Sequence, residues 1–250
     1  MTMIIAHISD LHIDTTEGGN AASVERAARV LDHLNGLPGR LDAILVTGDI
    51  ADHGLVEEYR QAAKILDSPY PVLHCPGNHD IRANYRIGLT GEPASDAPIN
   101  QVHRLPGATF ALCDSTIPGE DGGLLAEDTL AWLDDVLADD TGTPAFVCFH
   151  HPPVAMRQPY LDTMLLTVDA RFTDIIRRHP QVVAVLCGHA HTAAASTFAG
   201  RPLLVAPGVV STLVMPWEGT GPVDRQQPPG IAYHVLDDDG SLVTHYRVVS

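Results

Sequence analysis

The chain has 250 residues, 45 % hydrophobic and 18 % charged, which gives enough apolar mass for a sizeable core and excludes a disordered polar chain. Its net charge of −16 opposes a nucleic-acid polymer as partner, whereas small phosphorylated ligands stay open because bound cations can reverse the local field. No apolar run is long enough to span a bilayer, so no membrane association is expected.

The predicted elements alternate. Met3 to Ile8 reads as a strand. Ala21 to Leu34 carries Val24, Ala27, Ala28, Leu31 and Leu34 at helical spacing. A strand over Ala43 to Thr47, a helix over Val56 to Leu66 and a strand over Pro71 to His74 follow. The middle repeats the pattern, with strands at Thr109 to Cys113, Ala145 to Phe149 and Val182 to Cys187 and helices at Ala126 to Leu137 and Ala170 to His179. Strand runs that are apolar on both faces suit central strands covered on both sides, and strand-helix-strand order implies βαβ units.

The end of the chain changes character. Ile231 to Leu236 and Leu242 to Val248 flank Asp239-Gly240, a hairpin signal. Pro216 to Gly230 is rich in Pro and Gly and reads as a loop. The expectation is one α/β domain over residues 1–250, with two packed sheets and helices outside. Four cysteines, none in a CxxC pair, read as small core residues in a reducing compartment. The N-terminus has no basic segment followed by a long apolar run, so a cytoplasmic protein is expected.

Five short motifs stand where strands end: Asp10-Leu11-His12, Gly48-Asp49, Gly77-Asn78-His79-Asp80, His150-His151 and Gly188-His189-Ala190-His191. Sites in open α/β sheets form beyond the carboxyl ends of the strands, so the five converge on one rim. Each alone is weak; together they place carboxylates, an amide and imidazoles where metal ions bind. Two carboxylates, one amide oxygen and four imidazoles make two four-ligand sites only if one group is shared. Asp49 is the natural bridge, because a carboxylate has two oxygens.

This set resembles the calcineurin-like metallophosphoesterase superfamily. The chain length and His150-His151-Pro152-Pro153 are similar to its class III cyclic-nucleotide phosphodiesterases and glycerophosphodiesterases. The resemblance implies a four-layer αββα sandwich. It implies one metal on Asp10, His12, Asp49 and His191, and a second on Asp49, Asn78, His150 and His189. It also implies two divalent or trivalent ions per chain, iron with manganese, or zinc or cobalt, and it makes a homo-oligomer an option.

The expected activity is hydrolysis of small phosphodiesters, such as 3′,5′-cyclic AMP or glycerophosphodiesters, by a metal-bridging hydroxide. His79 is the expected catalytic acid, donating to the leaving alkoxide or stabilising it. Asn78, His79 and Ser115 are the expected substrate contacts, and the segments from Pro152 to Asp169 and Pro216 to Gly230 are expected to shape the pocket. Two alternatives share the motifs: a phosphomonoesterase or phosphoprotein phosphatase, and a non-catalytic metal-binding regulatory module.

Overall fold

The computed structural model describes residues 2–250. Its first large sheet has the order Leu242–Val248, Gly230–Leu236, Met3–Ile8, Ala43–Thr47, Val72–Cys75. Its second has the order Ala194–Phe198, Arg201–Val205, Val182–Cys187, Ala145–Cys148, Ala108–Leu112, Gln101–Leu105. In the first sheet Met3–Ile8, Ala43–Thr47 and Val72–Cys75 run parallel and antiparallel pairs close the other side; in the second, the parallel core is closed by an antiparallel pair on each side.

Side-chain alternation explains the layering. On Met3–Ile8, Ile5 points into an apolar layer shared by both sheets, where it meets Leu45, Phe110 and Leu186. Ala6 and Ile8 point the other way, onto the helices Ala21–Asn35 and Val56–Ile65, with Leu31, Leu34 and Ala62. On the far side, Val147 and Val185 meet Leu133, Phe172 and Ile176 from the helices Glu127–Asp139 and Ala170–Arg178. Three apolar layers between helix, sheet, sheet and helix make the αββα sandwich, and burial on both faces is why the strands read as unbroken apolar runs. Phe110 and Phe146, paired across adjacent strands, stack with centroids 5.1 Å apart in the middle layer.

Local signals set the helix starts. The Asp169 carboxylate accepts the Arg171 backbone N–H at 2.7 Å, and Phe172, Ile175 and Ile176 then recur on the buried face. Glu58 reaches back to accept the N–H groups of His53 and Leu55, both at 3.0 Å, which fixes the start of Val56–Ile65.

Some strands were not expected from the sequence. Gln101–Leu105 is an edge strand of mixed polarity. Ala194–Phe198 and Arg201–Val205 form a hairpin whose turn residues Ala199 and Gly200 have φ of 51° and 85°. A two-residue turn of type I′ needs positive φ at both positions, and Ala-Gly is a weaker advertisement of that than Asn-Gly. Within the expected loop, Val223–Asp224 pairs with Thr212–Leu213.

Below the carboxyl edge of the first sheet, two buried histidines face each other, His7 Nδ1 lying 3.0 Å from His234 Nε2. Their outer nitrogens meet Thr47 Oγ1 and Thr244 Oγ1, each at 2.8 Å. Burial pushes His234 down to about 3 and His7 well below its ordinary value, with His234 adding to the effect on His7. Both stay neutral in the fold but take up protons below about pH 6.5 when unfolded, so stability falls as pH drops through that value. The expected loss is about 1.4 kcal/mol per pH unit for each histidine. Denaturant unfolding at pH 7 and pH 5 should show a shallower acid loss in H7Q/H234Q than in the wild type.

The parallel strands of both sheets end on one edge of the sandwich. Asp10, Asp49 and Asn78 follow strands of the first sheet, and His150 and His189 follow strands of the second. The fold therefore delivers residues from distant parts of the chain to a single rim.

Candidate metal centre

The loops that carry these side chains are held in unusual backbone. Asp10, His12, Asp49, His189 and His191 have φ between 45° and 67°. That region costs a residue with a side chain on the order of 1 kcal/mol or more, and such costs concentrate at functional sites. Glycine lets the loops approach each other: a Cβ on Gly77 would lie 2.2 Å from Asp49 Oδ1, and one on Gly188 would fall on the Ser9 hydroxyl.

Two groups of ligand atoms result. Asp10, His12, Asp49 and His191 offer atoms that all lie within 4.8 Å of one another. His12 Nε2 is 3.2 Å from His191 Nε2 and 3.5 Å from Asp49 Oδ2, and His191 Nε2 is 3.6 Å from Asp10 Oδ1. Next to them, His150 Nε2 lies 3.2 Å from Asp49 Oδ2, 3.1 Å from Asn78 Oδ1 and 3.1 Å from His189 Nδ1. Asp49 Oδ2 thus stands between an imidazole of each group.

Outer partners fix which nitrogens point inward. His12 Nδ1 meets the Asp52 carboxylate at 2.8 Å, and His150 Nδ1 donates to the Thr47 carbonyl at 2.6 Å. His191 Nδ1 meets Ser211 Oγ at 2.8 Å. With Nδ1 committed outward, His12 and His150 turn Nε2 toward the acceptors already converging there. Asp10 Oδ2 and His189 Nε2 are buried with no hydrogen-bond partner. Converging acceptors and orphaned buried donor atoms are the arrangement a cation would satisfy, and hard or borderline metals suit this N and O donor set.

The electrostatics agree. Burial opposes charge on His150, but Asp49, hydrogen-bonded beside it, and Asp10 lift it to about 9. Burial would raise Asp49, yet His150 and His12 hold it well below the usual carboxylate range. Burial raises Asp10 to about 6. Burial also takes His191 to about 4 and His189 well below its ordinary value, which leaves both neutral, the form a metal would need. The site therefore favours positive charge around Asp49 Oδ2.

Asp52 illustrates a partner that spacing does not advertise. By orienting His12 it should matter for metal affinity without touching the ion. D52N should weaken binding by roughly 10- to 100-fold in a metal-competition titration. Unchanged affinity would contradict that role.

His79 and Asn78 line a cavity of about 420 Å³ together with His12, Asp49, His189 and His191. The His79 ring is fixed by Nδ1, which donates to the Asp52 carbonyl at 2.7 Å, and by an edge contact with His12 at 4.5 Å between centroids. Burial works against its protonation, but Asp49 and Asp52 prevail and raise its pKa. Asp80 stays behind, its carboxylate accepting the N–H groups of Gly77, Ile50 and Ala51.

Ser115 does not join this group. It is fully buried, its hydroxyl 2.8 Å from His151 Nδ1, and it does not line the cavity. The carboxylate before it, Asp114, holds Arg82 at 2.8 Å, so this strand end serves packing. His151 lies close enough to His150 and His189 to share an ion with them, and its Nε2 is buried without a partner. The two segments expected to shape the cavity contribute to its wall, through Tyr160, Leu161 and Met164 and through Val223 and Arg225.

Known proteins resemble the chain over most of its length. The model of the calcineurin-like phosphoesterase family matches residues 3–193. The glycerophosphodiester phosphodiesterase GpdQ of Enterobacter lignolyticus is 32 % identical over 249 residues, covering 93 % of this chain and 86 % of that protein. A cAMP/cGMP dual specificity phosphodiesterase of Mycobacterium tuberculosis is 32 % identical over 221 residues, covering 84 % of this chain and 68 % of that one. Among solved structures, a dimetal phosphatase from Danio rerio superposes with a TM-score of 0.73 at 16 % identity, covering 99 % of this chain and 96 % of that one.

Proposed function

The chain belongs to the calcineurin-like phosphoesterase family, and from that premise we propose a two-metal phosphodiesterase acting on small diesters such as cyclic nucleotides or glycerophosphodiesters. The observation that carries the ligand assignment is Asp49 Oδ2 lying 3.5 Å from His12 Nε2 and 3.2 Å from His150 Nε2. One carboxylate between an imidazole of each cluster supports a bridge. Asp10, His12, Asp49 and His191 would hold one ion, and Asp49, Asn78, His150 and His189 the other.

When bound, the two ions supply a nucleophile at neutral pH and offset charge on the phosphoryl oxygens. The protein's own groups do the rest. Asn78 turns its amide oxygen toward His150, leaving its NH₂ to donate to a phosphoryl oxygen. His79 keeps its Nδ1 proton on the Asp52 carbonyl, so Nε2 is the atom that donates a proton to the departing ester oxygen. An alkoxide leaves slowly without that proton, and this is why a diesterase needs the group.

Iron with manganese, or zinc or cobalt, suits the donor set. Four buried free cysteines support a reducing, cytoplasmic setting, and no described helix is long and apolar enough to cross a membrane. The apolar layer common to both sheets supports a single domain over residues 1–250. The test is turnover of a chromogenic diester and the matching monoester by protein loaded with each metal. Diester hydrolysis should dominate; strong monoester turnover with none on diesters would favour a phosphomonoesterase on the same core.

A further inference from the structure

Resting on the diesterase reading, we propose that Arg225 is a specificity-determining residue that reads a purine base and favours guanine over adenine. Beside the ligand cluster the cavity carries an apolar wall of Tyr160, Leu161, Met164, Leu213 and Val223, together with the polar Asn20 and Asp121. A phosphate seated at the ligand cluster sends its ester substituent to that apolar wall. Glycerol, small and polar, would leave the wall uncovered, whereas a flat base suits it. Tyr160, 60 % exposed, and Met164 offer the flat and polarisable faces on which aromatic rings pack.

Arg225 is the sole lysine or arginine among the described residues lining this cavity, and its side chain forms no hydrogen bond or ion pair among the described residues. Its backbone, by contrast, is anchored. Arg26, buried on the helix Ala21–Asn35, donates Nε to the Val209 carbonyl at 2.8 Å, Nη1 to the Arg225 carbonyl at 3.3 Å and Nη2 to the Gln227 carbonyl at 2.5 Å. One buried guanidinium thus ties the 225–227 loop to the segment leading to Ser211, the partner of His191. A free guanidinium displayed from a fixed backbone beside an apolar wall is a built recognition element.

Its chemistry selects the base. A guanidinium donates and cannot accept. Guanine presents two adjacent acceptors, N7 and O6, that take a bidentate pair, whereas adenine sets a donor, N6, beside N7. The test measures kcat/KM for guanosine and adenosine 3′,5′-cyclic monophosphates with wild-type and R225Q protein, alongside binding of guanosine and adenosine to the metal-free proteins. The wild type should prefer guanine by roughly tenfold in both readouts, and R225Q, whose amide can pair with adenine N6 and N7, should bring both ratios to one or below. A wild-type ratio at or below one, or a preference that R225Q leaves intact, overturns the inference. Hydrolysis of bis(p-nitrophenyl) phosphate with none of either cyclic nucleotide overturns it alone. Failure to hydrolyse any diester overturns the diesterase reading beneath it.

Discussion

D49A should lose both metal ions and nearly all diester hydrolysis. Among the described residues Asp49 is the one carboxylate whose oxygen lies within 3.5 Å of an imidazole nitrogen from each cluster, so its removal would strip a ligand from both sites at once. Replacing any other ligand takes one donor from one site. The expected fall in kcat/KM is on the order of 10³-fold or more, because the ions supply both the nucleophile and the charge stabilisation. Metal analysis after gel filtration should find D49A depleted in both ions, while H12A or H150A keeps more of one. The fold should survive, since the inter-sheet layer of Ile5, Leu45, Phe110 and Leu186 lies away from the rim. If D49A retains both metals, Asp49 is no bridge.

H79A should behave differently. Its imidazole lines the cavity without entering either ligand cluster of four, and its backbone N–H donates to Asp49 Oδ1 at 3.0 Å, a bond that alanine preserves. Metal content should therefore stay near normal. Loss of the proton donor should cost roughly 10²- to 10⁴-fold on diesters with alkoxide leaving groups. With p-nitrophenolate, which departs without protonation, the loss should be less than about tenfold. Equal losses on the two substrates would remove His79 from the proton-transfer step, and loss of metal would place it among the ligands.

These two variants separate roles that the sequence presents side by side in Gly77-Asn78-His79-Asp80. The structure separates them by direction: Asn78 faces His150, His79 faces the cavity, and Asp80 turns back to three backbone N–H groups.

The convergence of the motif residues on one rim was legible because the expected chemistry demands particular residue types at strand ends. Asp10, His12, Asp49, Asn78, His150, His189 and His191 each follow an apolar run, and doubly covered parallel strands write such runs plainly. Their supports were harder to read. Asp52 meets His12 across 40 residues and Ser211 meets His191 across 20, and nothing in local spacing announces either. Arg26 looks like any polar position on a helix, yet it crosses 183 residues to reach Val209. Ser115 was expected at the substrate because it ends a strand, but it is buried with its hydroxyl against the ring of His151. The left-handed backbone of five predicted ligands was not legible either, since aspartate and histidine tolerate that region without signalling it as glycine does. The hairpin at Ala199-Gly200 escaped for a similar reason: only one of its two positive-φ residues is a glycine.

Anomalous diffraction from crystals soaked in manganese tests the shared carboxylate most directly. Two peaks should appear, one among Asp10, His12, Asp49 and His191 and one among Asp49, Asn78, His150 and His189, separated by about 3.5–4 Å with an Asp49 oxygen between them. A single peak, or two peaks with no ligand in common, would contradict the account.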